Sequence, residues 1–215
     1  MDKSLMAGPL SPNGGDRIRA ILLDYGGVIA EEGFHLGLQT MARRFGLDFE
    51  AFFHTATELI YSCGFVTGEA DEQKYWELMR DQTGISGTDQ ELTGIILDRF
   101  VLRSSMLTAV RTLRDKGYLA VILSDQTDWL ERLNRRDNFF PEFDAVFNSF
   151  HLGKTKRDPG IFPDILGKLG LKPRQALFVD DNAEHVGRAV KQGLHTHLFR
   201  DVTPFLADLH YRRLI

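Results

Sequence analysis

Four short apolar runs, each closed by a polar or turn residue, constrain this chain more than any other feature. They are Ile18–Leu23 ("IRAILL"), Tyr118–Leu123 ("YLAVIL"), Ala145–Phe147 ("AVF") and Ala176–Val179 ("ALFV"), with a weaker fifth at His195–Phe199 ("HTHLF"). Near-continuous apolar runs of this length predict strands buried on both faces. Helix-period sequence lies between them. Ser105–Lys116 carries Leu107, Val110 and Leu113 at three-residue spacing, with Gly117 as a stop. Ile161–Leu169 and Ala183–Gln192 repeat the pattern, the latter ending at Gly193. Such alternation predicts an α/β fold, a parallel sheet wrapped by helices through right-handed crossovers. Ligands of such sheets bind beyond the carboxyl ends of the strands. Asp24, Ser124 and Asp180 each follow a strand run directly.

Residues 33–103 break the alternation. "LGLQTMARRFG", "FEAFFHTATELIYSC", "EQKYWELMRDQTG" and "DQELTGIILDRFVL" read as successive helices, with turns at Gly46, Gly68 and Gly84–Gly87. The expected organisation is a sheet-bearing core over 17–32 and 104–215 with an all-helical insertion over 33–103. Residues 1–16 are rich in Gly, Pro, Ser and Asn and read as a flexible leader or a cloning remnant, without the apolar centre of a secretory signal. At 215 residues the chain suits one domain with an insertion. A net charge of −4 without a basic block argues against a nucleic-acid surface. No apolar run approaches the roughly 18–20 residues that span a bilayer. The single cysteine, Cys63, leaves no internal disulfide framework and fits a reducing cytoplasm.

Each strand end carries a chemical group with a plain and a functional reading. Asp24 is either a loop or helix-capping acid or a nucleophile. Gly26 and Gly27, lacking Cβ atoms, let the loop bend and bring its amides to a bound anion. Ser124 and the amide of Asp125 cap a helix or donate to phosphate oxygens. Lys156 is a surface lysine, with Lys154 as a rival, or a point charge for a phosphoryl group or carboxylate. It precedes Asp158 and Pro159, which read as an N-cap and a first-turn proline, although Pro163 fits that helix awkwardly. Asp180 and Asp181 adjoin each other after a buried strand. Like charges this close repel unless a cation is near, and Mg²⁺ takes one or two carboxylates with phosphate and water.

Taken in order, these stretches resemble the four motifs of the haloacid dehalogenase (HAD) superfamily of hydrolases, mostly phosphatases. "LLDYGGVI" resembles the first motif, with Asp24 as nucleophile, and "VILSDQT" the second, with Ser124. "GKTKRDPGIF" is similar to the third, with Gly153, Lys156, Asp158 and Pro159 matching and Arg157 replacing a usual proline. "LFVDDNAEHVGRAVKQG" resembles the fourth, with Asp180 and Asp181. The resemblance implies a Rossmann-like sheet with a small helical cap. It implies Asp24, Ser124 and Lys156 as catalytic residues, and Tyr25, Gly26, Gly27, Ser124, Asp125 and Lys156 around the phosphate. Mg²⁺ would be held by Asp24, the Gly26 carbonyl, Asp180 and Asp181. Response-regulator receivers use the same residue types, but their acidic pair comes first; here it comes last.

One departure bears on mechanism. Phosphatases of this family carry a second Asp two positions after the nucleophile, as general acid and base, and this chain has Gly26 there. Another acid (Glu31, Glu32 or Asp125) substitutes, or the leaving group departs unassisted, or the protein turns over slowly or only binds its ligand. Asp125 also departs from the frequent Asn. The resemblance implies a cytoplasmic, Mg²⁺-dependent phosphatase of a small phosphorylated metabolite, with a sugar phosphate as one candidate, acting as monomer or homodimer. The alternatives are a 2-haloacid dehalogenase and a weakly catalytic phospho-ligand-binding protein. His195 and His197 read as structural. The aromatics Phe52, Phe53, Tyr61, Phe65, Tyr75 and Trp76 read as the core of the insertion, with a few near the substrate entrance, and Trp129 as helix packing.

Overall fold

The computed structural model describes residues 17–215; the expected leader at 1–16 lies outside them. Five parallel strands form one sheet: β1 (Ala20–Leu23), β2 (Leu119–Ser124), β3 (Ala145–Asn148), β4 (Ala176–Asp180) and β5 (His195–Leu198), in the order β3-β2-β1-β4-β5. Every residue of β1 and β4 is buried, which is why these runs are apolar without alternation. Successive side chains point to opposite faces. Ile21, Leu23, Ile122, Leu177 and Val179 therefore join one core, and Leu22, Val121, Leu123 and Phe178 join a second.

Four helices make up the insertion between β1 and β2: α1 (Gly33–Phe45), α2 (Phe49–Ser62), α3 (Glu72–Thr83) and α4 (Asp89–Leu97). The side chains of Asp48, Asp71 and Thr88 accept backbone N–H bonds at the starts of α2, α3 and α4. Each such cap stabilises its helix by about 1 kcal/mol. Gly46 and Gly84 close α1 and α3 in the left-handed conformation. Beyond them come α5 (Ser104–Asp115), α6 (Trp129–Asp137), α7 (Ser149–Leu152), α8 (Ile161–Leu169), α9 (Ala183–Lys191) and α10 (Val202–Tyr211). Helices α5 and α10 bury Val110, Leu113, Phe205 and Leu209 in the first core, while α8 and α9 bury Ile161, Phe162, Ile165 and Ala189 in the second. Among the described residues no helix is long and apolar enough to cross a membrane.

Trp129 docks the insertion on the core. Its ring lies 6.2 Å from that of Trp76 and 5.5 Å from that of Phe65, and its indole N–H donates to Glu72 at 2.9 Å. Arg132 adds an ion pair to the same carboxylate at 2.8 Å.

Three local expectations are corrected. The fourth helix of the insertion ends at Leu97 rather than near Leu102, because Phe100 turns into the core and 101–103 pair with 29–31: Glu31 N–H donates to Val101 O and Arg103 N–H to Ile29 O, each at 2.9 Å. The first begins at Gly33, ahead of the expected Leu36, because Glu32 caps it. Asp158 is not the N-cap of α8. Its Oδ1 accepts the Gly160 N–H at 2.7 Å in a turn, and the helix starts at Ile161. Pro163 then sits in the first helical turn, where a missing N–H costs little.

Candidate active site

The strand order places β1 between β2 and β4, and the groups expected at their carboxyl ends converge. Leu23 pairs with Ile122 on one side and Val179 on the other, so Asp24, one residue on, stands level with the ends of both neighbours. The Ser124 hydroxyl donates to Asp24 Oδ1 at 2.7 Å, and the Tyr25 N–H donates to the same oxygen at 2.7 Å. Lys156 reaches in from the loop before α8. Its ammonium lies 2.7 Å from Asp24 Oδ2 and 2.6 Å from Asp180 Oδ2, and the side chain is 1% exposed.

These groups form the floor of a cavity of about 350 Å³. The core contributes Asp24, Gly26, Ser124, Asp125, Lys156 and Asp181, together with Gln126, Thr127, Asn182 and His185. The insertion and its entry contribute Glu32, Phe34, His35, Phe53, Thr57, Ile60, Tyr61 and Val66. Three residues of the expected set stand back from the cavity. Tyr25 is fully buried, its ring stacked at 4.8 Å on Phe139 and 5.7 Å on Phe100, so only its backbone amide faces the site. Asp180 lies beneath, with Oδ1 accepting the Asn182 N–H at 2.8 Å and Oδ2 taken by Lys156. Gly27 lines a neighbouring cavity of about 250 Å³ that shares Glu32, His35 and Asp181 with the first.

Burial drives the electrostatics. It raises the Asp24 carboxyl, and Lys156 opposes that effect while Asp180 and Asp181 add to it. Burial also works against the Lys156 charge, but Asp180, Asp24 and Asp125 outweigh it and hold the ammonium above its ordinary range. Asp180 goes the other way: despite burial, Lys156 and His185 pull it down to about 2. Asp181 is raised by burial and by Asp180. Oxygens of Asp24, Asp180 and Asp181 lie within 4.8 Å of one another. One ammonium serves three carboxylates, and the all-oxygen donor set suits a hard divalent cation. Gly27 makes room for the Asp181 carboxylate. At φ +75° a Cβ there would stand 2.0 Å from Asp181 Oδ2.

Of the three acids expected as substitutes for an acid at position 26, Glu31 and Asp125 are engaged by other residues. Glu31 forms a two-pronged pair with Arg103, at 3.0 and 2.9 Å, which lowers its pKa. Asp125 accepts the Lys156 N–H on Oδ1 at 2.8 Å and the Tyr61 hydroxyl on Oδ2 at 3.2 Å. Glu32 lines the cavity, and its pKa is pushed up to about 7 by burial and by the charges of Asp181 and Asp24. The sequence did not single out His185, whose Nδ1 lies 3.4 Å from Asp180 Oδ2, or Thr57, whose buried hydroxyl has no partner among the described residues. Neither stands in a recognisable local pattern. His195 and His197 face away from the site, His197 pairing with Asp208 at 2.9 Å.

The family model for haloacid dehalogenase-like hydrolases matches residues 18–191, and the chain belongs to that family. Over 111 residues it is 32% identical to bifunctional epoxide hydrolase 2 of Sus scrofa, a match covering 48% of this chain but 20% of that protein. In structure it is similar to a HAD family enzyme of Bacteroides thetaiotaomicron solved in complex with magnesium and inorganic phosphate, with TM-score 0.63 and 20% identity over 85% of this chain and 94% of that one. It is also similar to the L-2-haloacid dehalogenase of Xanthobacter autotrophicus, with TM-score 0.61 and 19% identity over 83% and 76%. At these identities the structural likeness speaks for the fold.

Proposed function

We propose that this chain is a Mg²⁺-dependent phosphatase of a small phosphorylated metabolite, working through an aspartyl-phosphate. The observation that carries the reading is the excess of carboxylate at the cavity floor. Asp24, Asp180 and Asp181 outnumber the single ammonium of Lys156, an arrangement that favours a divalent cation and that displacement of chloride does not need. Asp24, the Gly26 carbonyl and Asp181 would hold the ion, with Asp180 beside them. Bound there, Mg²⁺ would neutralise charge between the nucleophile and the phosphate dianion.

The chain's own residues supply the rest. Ser124 and Lys156 orient the Asp24 carboxylate and stand ready to donate to phosphoryl oxygens. An Asp24 oxygen bonds to phosphorus as the bond to the leaving oxygen breaks, and water then releases inorganic phosphate. The apolar wall from Phe34, Phe53, Ile60 and Val66 would exclude water from the leaving group. The magnesium and phosphate complex of the Bacteroides relative supports this reading, whereas likeness to a dehalogenase supports attack at carbon by the same Asp24.

Hydrolysis of p-nitrophenyl phosphate and sugar 1-phosphates with Mg²⁺ tests the proposal, set beside chloride release from 2-chloropropionate. Phosphate release abolished by EDTA and by Asp24→Asn is expected. A rate indifferent to both, or metal-independent chloride release, overturns it.

A further inference from the structure

Gly26 leaves the first strand end without the acid that would protonate a leaving oxygen, and the structure shows what stands in that space. A Cβ built on Gly26 would lie 3.3 Å from Phe100 Cε1, in the core, and 3.4 Å from Glu32 Oε1, its nearest polar neighbour. Glu32 comes from six residues further along and enters the cavity at the start of α1. Its Oε2 is fixed by the His35 N–H at 2.5 Å, capping the helix. Oε1 receives no hydrogen bond from the described residues. One oxygen is thus anchored and the other is free towards the cavity that holds Asp24.

We propose that Glu32 is the general acid and base of this site, supplying from the helix cap the carboxyl that position 26 lacks. The inference rests on the phosphatase reading above. As Asp24 bonds to phosphorus, the breaking P–O bond leaves its electron pair on the substrate oxygen, which takes the Glu32 proton. The Glu32 carboxylate then takes a proton from water. The water oxygen bonds to phosphorus, the Asp24–phosphorus link breaks, and inorganic phosphate leaves with both carboxyls restored. Burial favours the proton-bearing form of Glu32 that the first step requires.

The two steps separate in experiment. p-Nitrophenolate departs without a proton, but hydrolysis of the aspartyl-phosphate still needs the base. Glu32→Gln keeps an oxygen for the His35 N–H, so the helix cap survives. With p-nitrophenyl phosphate and Mg²⁺ it is expected to give a burst of nitrophenolate followed by slow turnover, with a phosphoryl adduct on Asp24 visible by intact mass spectrometry. With β-glycerophosphate, whose alkoxide needs the acid, turnover is expected to fall by about 10²–10⁴-fold and the adduct not to form. Adding Gly26→Asp to Glu32→Ala returns a carboxyl to the same space and is expected to recover part of the loss. Turnover of Glu32→Gln within a few-fold of wild type overturns the proposal. So does a loss without adduct from p-nitrophenyl phosphate that Gly26→Asp leaves unrepaired. A wild-type protein that hydrolyses neither compound, nor the sugar 1-phosphates, overturns the phosphatase reading, and this proposal with it.

Discussion

Tyr61 and Asp125, 64 positions apart, join the helical insertion to the sheet at the cavity wall: the tyrosine hydroxyl donates to Asp125 Oδ2 at 3.2 Å. Arg157 stacks on the same ring, its guanidinium carbon 3.5 Å from the ring centroid. The two departures from the family pattern in the second and third motifs, Asp125 and Arg157, therefore meet on one residue of the insertion. Removing the hydroxyl with Tyr61→Phe is expected to lower kcat/KM by about tenfold, chiefly through KM, since a hydrogen bond to a charged group contributes roughly 1.5–3 kcal/mol. Steady-state kinetics with any turned-over phosphomonoester check this, and an unchanged KM would count against the latch.

Asp125→Asn tests the charge separately. The amide can still accept the Lys156 N–H and meet the Tyr61 hydroxyl, while one negative charge leaves the proposed phosphate site. Inorganic phosphate is expected to bind the variant more tightly in a calorimetric titration with Mg²⁺. Weaker binding would mean that the charge serves the site.

Lys156 is sealed between two carboxylates, and its removal leaves the fully buried Asp180 without its ammonium partner. Lys156→Met is expected to destabilise the fold by about 3–5 kcal/mol, beyond any effect on activity. Urea denaturation measures it. A loss below about 1 kcal/mol, the size of an ordinary substitution, would show that solvent reaches this pair.

Glu32 titrates higher in the fold, at about 7, than its ordinary 4.5. The folded state thus binds this proton more tightly than the unfolded chain. The resulting stabilisation is complete below the ordinary value and is lost as pH rises through the folded one. The melting temperature of the metal-free protein is expected to fall between about pH 5 and pH 8, as Asp24, also raised, adds to the same trend. Glu32→Gln should flatten that slope. Equal slopes in the two proteins would remove Glu32 as its source.

Gly27→Ala places a methyl group 2.0 Å from Asp181 Oδ2 at a φ of +75°. The carboxylate must move, and Mg²⁺ affinity, read by calorimetry, is expected to drop while the sheet survives. Retained affinity would take Asp181 out of the ion's coordination.

What was legible in the sequence was local. The strands β1, β2 and β4 are apolar because both faces of a central parallel strand are covered, and that requirement is written in consecutive residues. Helix α8 runs over the predicted Ile161–Leu169 because its three-residue spacing survives in the fold. The positions of Asp24, Ser124 and Asp180 at strand ends can be read along the chain, because each closes an apolar run. Asp158 and Pro159 make a convincing helix cap in isolation, but the bond from the Gly160 N–H closes a turn ahead of the helix instead.

Tertiary structure alone decided which acid shares the cavity with Asp24, how the insertion meets the sheet and which histidine sits beside Asp180. Glu31 and Glu32 are neighbours of the same type, yet Arg103, 72 positions from Glu31, draws one away and leaves the other in the cavity. Tyr61 was one aromatic among many until Asp125 fixed its role. Periodicity and turn chemistry act over a few residues and can be read along the chain. The pairing, burial and proton affinity of a side chain depend on groups brought near by folding, and no spacing in the sequence records them.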